Sequence, residues 1–346
     1  MDAKDLLSLL NNVVEENETE SLNKHDRVLL IDGLNLFFRN FAMLNFVNED
    51  GVHVGGLGGF LRSLGTLINR IQPTSVYVVF DGVGSTINRK NLLPEYKSNR
   101  NITRITNWDI FESLDDEHAA KVDQVVRLIH YLQCLPVKTL SLDKVEADDI
   151  IAHLAAKLSS DYGSKVFIVS SDKDFIQLVD ENIIVYRPIE KDYYTTDTVI
   201  EKFGISAANF ILYKVLMGDA SDKVAGVKGL GEKKLMKLFP ELSQRILTLQ
   251  DILDISEVKL KENIIYARVL DMQDQLEKNY RIMNLHNPML DDIEREFLDA
   301  IIEYPLPELD NMKFLKYYHE DGLKHLIKNI DYWIQNTFKD LISYNK

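Results

Sequence analysis

The chain has 346 residues, a single cysteine and a formal net charge of −14. This length allows one large α/β domain with appendages or two domains. No apolar run approaches the ~18 residues of a membrane span, and Met1-Asp2-Ala3-Lys4-Asp5 lacks the basic region and cleavage site expected of a signal peptide. A lone Cys134 excludes an intrachain disulfide and a cysteine-rich zinc site, and reads as a small core residue. The eight histidines form no HExxH-type pair, and together these features fit a reducing, cytoplasmic setting. The acidic balance argues against a protein coated in basic surface. Two local stretches run the other way: Arg89, Lys90, Lys97, Arg100 and Arg104 against Glu95, and Lys223, Lys228, Lys233, Lys234 and Lys237 against Glu232.

Leu6, Leu9, Leu10, Val13 and Val14 mark one face of a short amphipathic helix, followed by an acidic linker from Glu15 to Asp26. This helix is expected to pack on the main domain, with docking to a partner as the other reading. Arg27 to Ile31 is a strand pattern that ends at Asp32-Gly33-Leu34-Asn35, and Val76 to Phe80 is another that ends at Asp81. Between them Gly55-Gly56-Leu57-Gly58-Gly59 opens a helical pattern reaching Ile71. It lacks both phosphate-loop arrangements, so close backbone packing is the expected use.

Asn88 to Arg100 interleaves bases with Tyr96, a pattern suited to gripping phosphates and stacking a base, or to a solvated basic loop. Asn101 to Glu117 is polar, with Trp108 and Phe111 embedded, and predicts a long loop or mobile segment. Five bases in eighteen residues repel one another without a phosphate, so residues 87–117 are expected to be mobile until a phosphate backbone supplies the countercharge. A loop held by Trp108 and Phe111 is the alternative. A helix from His118 to Gln133 and a strand near Val137 to Leu140 follow.

Val145-Glu146-Ala147-Asp148-Asp149 then opens a helical run to Leu158, with a turn at Asp161-Tyr162-Gly163. Val166 to Val169 reads as a buried strand leading to Ser170-Ser171-Asp172-Lys173-Asp174, and Ile183 to Tyr186 as another. Three buried strands therefore end in or beside carboxylates, at Asp32, Asp81 and Asp172. In open α/β sheets ligands bind at the carboxyl ends of strands. Helix-capping acids with no ligand remain an alternative for any one group. The rest of the chain is helical in composition. Met217 to Lys223 precedes a Gly226-Val227-Lys228-Gly229-Leu230-Gly231 turn that opens a lysine-bearing helix and offers free N–H groups to a phosphate; a plain turn between helices competes.

Taken together, LLIDGLN, VVFDG, LPEYKSNR, VEADD, SSDKDF and MGDASDKVAGVKGLGEKK resemble the 5′-nuclease superfamily, from about Val28 to Leu238. The resemblance implies a PIN-like α/β fold with a mainly parallel central sheet, a helix-three-turn-helix element and a helical C-terminal region. It implies two or more Mg²⁺ ions, with Mn²⁺ able to substitute, held among Asp32, Asp81, Glu146, Asp148, Asp149, Asp172, Asp174, Asp219 and Asp222. Arg89, Lys97 and Arg100 fit the bases that meet the scissile phosphate, although Thr86 stands where several relatives have lysine. Asp219 to Lys237 matches the duplex-binding element, which often holds K⁺. DNA contacts fall to Lys90, Tyr96, Lys228, Gly229, Gly231, Lys233 and Lys234. The flanks resemble the T-even-phage type ribonuclease H, which removes RNA primers and adjoining DNA.

The expected organisation is an N-terminal segment, 1–26, a nuclease domain, 27–200, with an arch near 87–117, a duplex-binding region, 201–284, and a helical region, 285–346. The expected partner is branched or nicked nucleic acid with a free 5′ end. A single-stranded DNA-binding protein is a further partner, no membrane is involved, and the chain acts as a monomer. A PIN-type single-strand ribonuclease and a non-catalytic DNA-binding module are the rival readings.

Overall fold

The computed structural model describes residues 23–99 and 105–344. The amphipathic helix expected at the N-terminus, together with Arg100 and Arg104, lies outside the described residues. Among those described, no helix is long and apolar enough to cross a membrane.

Six strands form one sheet: β1 (Arg27–Asp32), β2 (Ser75–Val79), β3 (Lys138–Leu140), β4 (Lys165–Val169), β5 (Ile183–Arg187) and β6 (Asp192–Tyr194). Their spatial order is β3-β2-β1-β4-β5-β6. The first five run parallel and β6 pairs antiparallel with β5. β6 has only three residues, Asp192-Tyr193-Tyr194, too few to show a strand pattern.

Alternate residues serve opposite faces, so Val28 and Leu30 enter one core while Leu29 and Ile31 enter the other. With both faces covered, the central strands can be apolar throughout. One face carries α1 (Gly33–Met43), α2 (Gly55–Ile71) and α4 (Leu114–Leu132), which contribute Phe37, Leu64 and Tyr131 to its core. The short α3 (Ile87–Leu92) follows β2. The other face carries α5 (Ala147–Tyr162) and a helical array: α6 (Thr196–Phe203), α7 (Phe210–Met217), α8 (Glu232–Leu238), α9 (Leu249–Val258), α10 (Ile264–Asp271), α11 (Gln273–Met283) and α12 (Asp292–Glu303).

α13 (Asn311–Glu320) and α14 (Ile330–Ser343) return to the α1–α2 face. There Arg127 of α4 meets Asp321 at 2.7 Å. The glycine run behaves as close packing requires. It lies inside α2, where a Cβ on Gly55 would stand 1.9 Å from the Leu44 carbonyl oxygen and one on Gly58 would stand 2.3 Å from Leu326. Cys134 is free and buried, as expected of a core residue.

Two helix boundaries differ from the sequence pattern. α4 starts four residues before His118, because Ser113 caps it by accepting the Asp116 N–H at 3.1 Å and three acids fill its first turn. α5 continues through Asp161 and Tyr162, expected to be a turn, and ends at Gly163 in the left-handed conformation (φ 65°).

Candidate active site

Three neighbouring strands deliver carboxylates to one end of the sheet. Asp32 ends β1 and caps α1, accepting the Asn35 N–H at 3.1 Å and the Ser170 hydroxyl at 2.9 Å. Asp81 follows β2 and accepts the Ala147 N–H at 2.7 Å, tying the β2 end to the start of α5. Asp172 follows β4 and accepts the Asp174 N–H at 2.8 Å. Asp148 projects from the first turn of α5. Burial, with Asp81 and Asp172 adding repulsion, pushes the Asp32 carboxyl up to about 7. Asp148, although partly open to solvent, is raised well above the carboxylate range by desolvation and then by Asp172 and Asp32. This quartet is negative charge short of a countercharge.

Asp174 and Asp219 form a second group around Lys214, a residue the sequence pattern did not single out. Lys214 is buried on α7, and its Nζ lies 2.7 Å from Asp174 Oδ1 and 2.6 Å from Asp219 Oδ2. Burial works against the Asp219 anion, but Lys214 and Ser221 overcome it and hold its pKa at about 2. Asp174 goes to about 7, through burial and then Asp172, despite the same lysine. The available signal was a lone lysine in the apolar run Phe210–Met217, five residues before Asp219. Asp219 lies on β7 (Gly218–Asp219), which pairs with β8 (Val224–Ala225) in a small hairpin, and Asp222 sits in its turn.

Glu146 and Asp149 make a third group, and here expectation and structure part. Arg89 was expected at the scissile phosphate. Instead it is 4% exposed, with Nη1 2.5 Å from Asp149 Oδ2 and 2.9 Å from Glu146 Oε2, and Nη2 3.0 Å from Asp149 Oδ1. Asp149 Oδ1 also accepts the Met289 N–H at 2.9 Å. Two carboxylates buried this deeply need an internal cation, and Arg89 supplies it. Asp149 is thereby held by Arg89, apart from the cation-poor quartet.

Tyr96, expected to stack a base, is 5% exposed and donates to Glu146 Oε2 at 3.1 Å, so its ring is not offered to a ligand. Burial and Glu146 raise its phenol pKa. Lys97 keeps an exposed edge and reaches Glu146 Oε1 at 2.7 Å, while Lys90 is exposed.

Two of the five bases in residues 87–104, Arg89 and Lys97, already hold countercharge before a phosphate arrives. The loop after α3 is also tied to the β7–β8 turn, through Lys97 N–H to Asp222 O at 3.0 Å and Asn99 Nδ2 to Ala220 O at 3.2 Å. Beyond the undescribed 100–104, the buried Glu117 accepts the Thr106 and Asn107 N–H groups, each at 2.9 Å, and the Lys121 ammonium at 3.0 Å. Phe111 stacks on Phe41 at 5.8 Å, but Trp108 is 75% exposed. A buried carboxylate anchors this segment, and hydrophobic periodicity cannot register that.

The Gly226–Gly231 turn packs tightly. A Cβ on Gly226 would stand 2.1 Å from Met217 O, and Gly229 has φ 81°. Lys228, Gly229, Lys233 and Lys234 are exposed around the start of α8, with Gly231 half-buried. Lys234 Nζ donates to Gly229 O at 3.0 Å and Arg268 to Lys228 O at 2.7 Å, which fixes the turn.

Among the described residues, no three Asp, Glu, His or Cys side chains stand close enough to form a ready-made metal cage. The donors nonetheless fit a hard divalent cation. All are oxygens, and Asp32, Asp81, Asp148 and Asp172 crowd like charge that an ion would relieve.

Residues 27–204 match the family described as the 5′-3′ exonuclease N-terminal, resolvase-like domain. The 5′-3′ exonuclease of Aquifex aeolicus is 30% identical over 303 residues, covering 87% of this chain and 94% of that protein. DNA polymerase I of Streptococcus pneumoniae strain R6 is 32% identical over 309 residues, and the chain spans about a third of its length (32%). Among solved structures, the flap endonuclease of bacteriophage T5, in complex with DNA and metal ions, superposes with a TM-score of 0.63 at 20% identity. That match covers 86% of this chain and all (100%) of the other. Human GEN1 bound to Holliday junction DNA superposes with a TM-score of 0.55 at 16% identity, over 92% of this chain and 72% of that one. The chain therefore belongs to the 5′-3′ exonuclease family of the 5′-nuclease superfamily, whose members are phosphodiester hydrolases.

Proposed function

We propose that this chain is a Mg²⁺-dependent, structure-specific 5′-nuclease, acting as a 5′–3′ exonuclease and flap endonuclease on branched or nicked duplexes with a free 5′ end. RNA–DNA hybrids are included in the substrate range, in keeping with primer or flap removal during DNA replication. The observation that carries this reading is the convergence of Asp32, Asp81, Asp148 and Asp172 at the carboxyl ends of β1, β2 and β4. The complex of the T5 flap endonuclease with DNA and metal ions supports it by likeness of fold.

These four acids would hold one divalent ion, and Asp174, Asp219 and Asp222 would hold a second after displacing Lys214 Nζ. Two such ions, when bound, activate a water and neutralise the leaving oxygen. The chain's own residues do the positioning. Lys97, anchored on Glu146, presents a cation to the phosphate, and Arg100 is assigned the same role. Residues 201–284 serve as the duplex-binding region, with Lys228, Gly229, Gly231, Lys233 and Lys234 meeting phosphates and K⁺ seated at the turn. The α/β unit of residues 27–200 carries the chemistry. A monomer in the cytoplasm, working beside a single-stranded DNA-binding protein, completes the proposal.

The test is cleavage of a 5′-flap DNA, an RNA–DNA hybrid and the matching single strand, with and without Mg²⁺. Metal-dependent cutting near the flap junction is expected, with slower cutting of the single strand. Preference for the free single strand would favour a PIN-type ribonuclease, and binding without cutting would favour a non-catalytic module.

A further inference from the structure

The end of α11 is wired by buried polar contacts to each cation-held group of acids. Arg89 Nε donates to Ile282 O at 2.8 Å while its two Nη atoms hold Asp149 and Glu146. Gln177, 1% exposed, donates to Met283 O at 3.0 Å and to Asp174 O at 2.8 Å, and accepts the Leu285 N–H at 3.0 Å. One turn earlier on α11, Asn279, 0% exposed, donates to Ala225 O on β8 at 2.8 Å and to Val215 O on α7 at 3.3 Å. α11 thus spans from the small hairpin before the glycine turn to the carboxylates.

We infer that Arg89 is a positioning residue, joined through α11 to Asn279, that makes the geometry of the acids depend on duplex docking. This rests on reading residues 201–284 as the duplex-binding region. Arg89 is too buried, and its donors too fully engaged, to meet a phosphate. Its bonds are nevertheless costly to leave unmade in a desolvated site, and a close-packed interior transmits small shifts instead of absorbing them. A displacement of the α11 terminus therefore moves the guanidinium, and with it Glu146, Asp149 and the Lys97 partnered to Glu146. Asn279 supplies the other end of the strut, at the hairpin that precedes Gly226–Gly231.

Three measurements test this. Arg89→Lys keeps a cation between Glu146 and Asp149 but cannot also reach Ile282 O in the same geometry. Asn279→Ala cuts the strut without touching any carboxylate. Each variant is expected to lower kcat on a flap substrate roughly 10- to 100-fold, the scale of a 1 Å misplacement. Binding measured with Ca²⁺ in place of Mg²⁺ stays within about twofold, the salt slope of binding is unchanged, and the preference for flap over single strand shrinks. Wild-type kcat and wild-type preference in both variants would overturn the inference. So would a salt slope flattened by roughly 0.9 in Arg89→Lys, the mark of a phosphate that the arginine had been neutralising.

Hydrogen exchange on the wild-type protein decides the matter even if a variant does not fold. Adding a blunt duplex with Ca²⁺ is expected to change protection at residues 226–234, 279–285 and 146–150 together. A change confined to 226–234 sinks the coupling, whereas no change at any of the three sinks the duplex-binding reading itself.

Discussion

Asp148 and Asp149 are adjacent acids in the first turn of α5, and neutralising them should move stability in opposite directions. Asp149 is 1% exposed and gives both carboxylate oxygens to Arg89 and one also to Met289 N–H. Asp149→Asn keeps an acceptor for Met289 but leaves the Arg89 cation with Glu146 alone. Breaking a buried ion pair from one side costs about 3–5 kcal/mol. At roughly 2 °C per kcal/mol for a chain of this size, Tm should fall by roughly 6–10 °C.

Asp148 lies in the cation-poor quartet, and its pKa in the folded chain is raised by burial, Asp172 and Asp32. A carboxyl raised on folding detracts from stability once the pH exceeds its unfolded pKa, because the folded state must then hold an unwelcome charge. Asp148→Asn removes that charge, so Tm at pH 8 in chelator should rise while Mg²⁺-dependent cleavage is abolished. Calorimetry in EDTA, paired with flap cleavage in Mg²⁺, reads both effects. The reasoning fails if both variants shift Tm the same way, or if Asp148→Asn cleaves at the wild-type rate.

Divalent ions should raise Tm of the wild type at neutral pH, by about 2.7 kcal/mol of added stability at a hundred times Kd, and much less in Asp148→Asn; a wild-type Tm indifferent to Mg²⁺ and to EDTA would count against the quartet as a metal site. Replacing Lys233 and Lys234 by alanine should weaken duplex binding and flatten its log–log salt slope by roughly 0.9 for each phosphate left without its lysine; an unchanged slope would place both lysines off the DNA. Glu117 is held below the ordinary carboxylate range, because the Asn107 and Thr106 N–H groups and Lys121 outweigh the burial that opposes its charge. Its contribution is therefore present above the unfolded pKa and lost as pH falls through the folded one. The Thr106 and Asn107 amides should be protected from exchange near neutral pH and released in acid, and Glu117→Gln should release them at pH 7.

The nuclease reading was legible in the sequence because its elements leave local marks. A buried parallel strand must be apolar on both faces, so Val28–Ile31, Val76–Val79 and Val166–Val169 stand out, as do the polar Asp32, Asp81 and Asp172 that end or follow them. The glycines packed inside α2 and the Gly226–Gly231 turn were visible for a similar reason, since only a missing Cβ tolerates those approaches. Which acids share a cation was not legible. Arg89 is 60 residues from Asp149 and 193 from Ile282, and no spacing rule links them. Lys214 and Glu117 were hidden likewise, because a buried charge is revealed only by the partner that folding brings to it. Pattern and chirality lead three strands to carry carboxylates to one sheet end. Only the packing of α3, α7 and α11 against that end decides which carboxylates are neutralised from within and which are left crowded, needing a cation from outside.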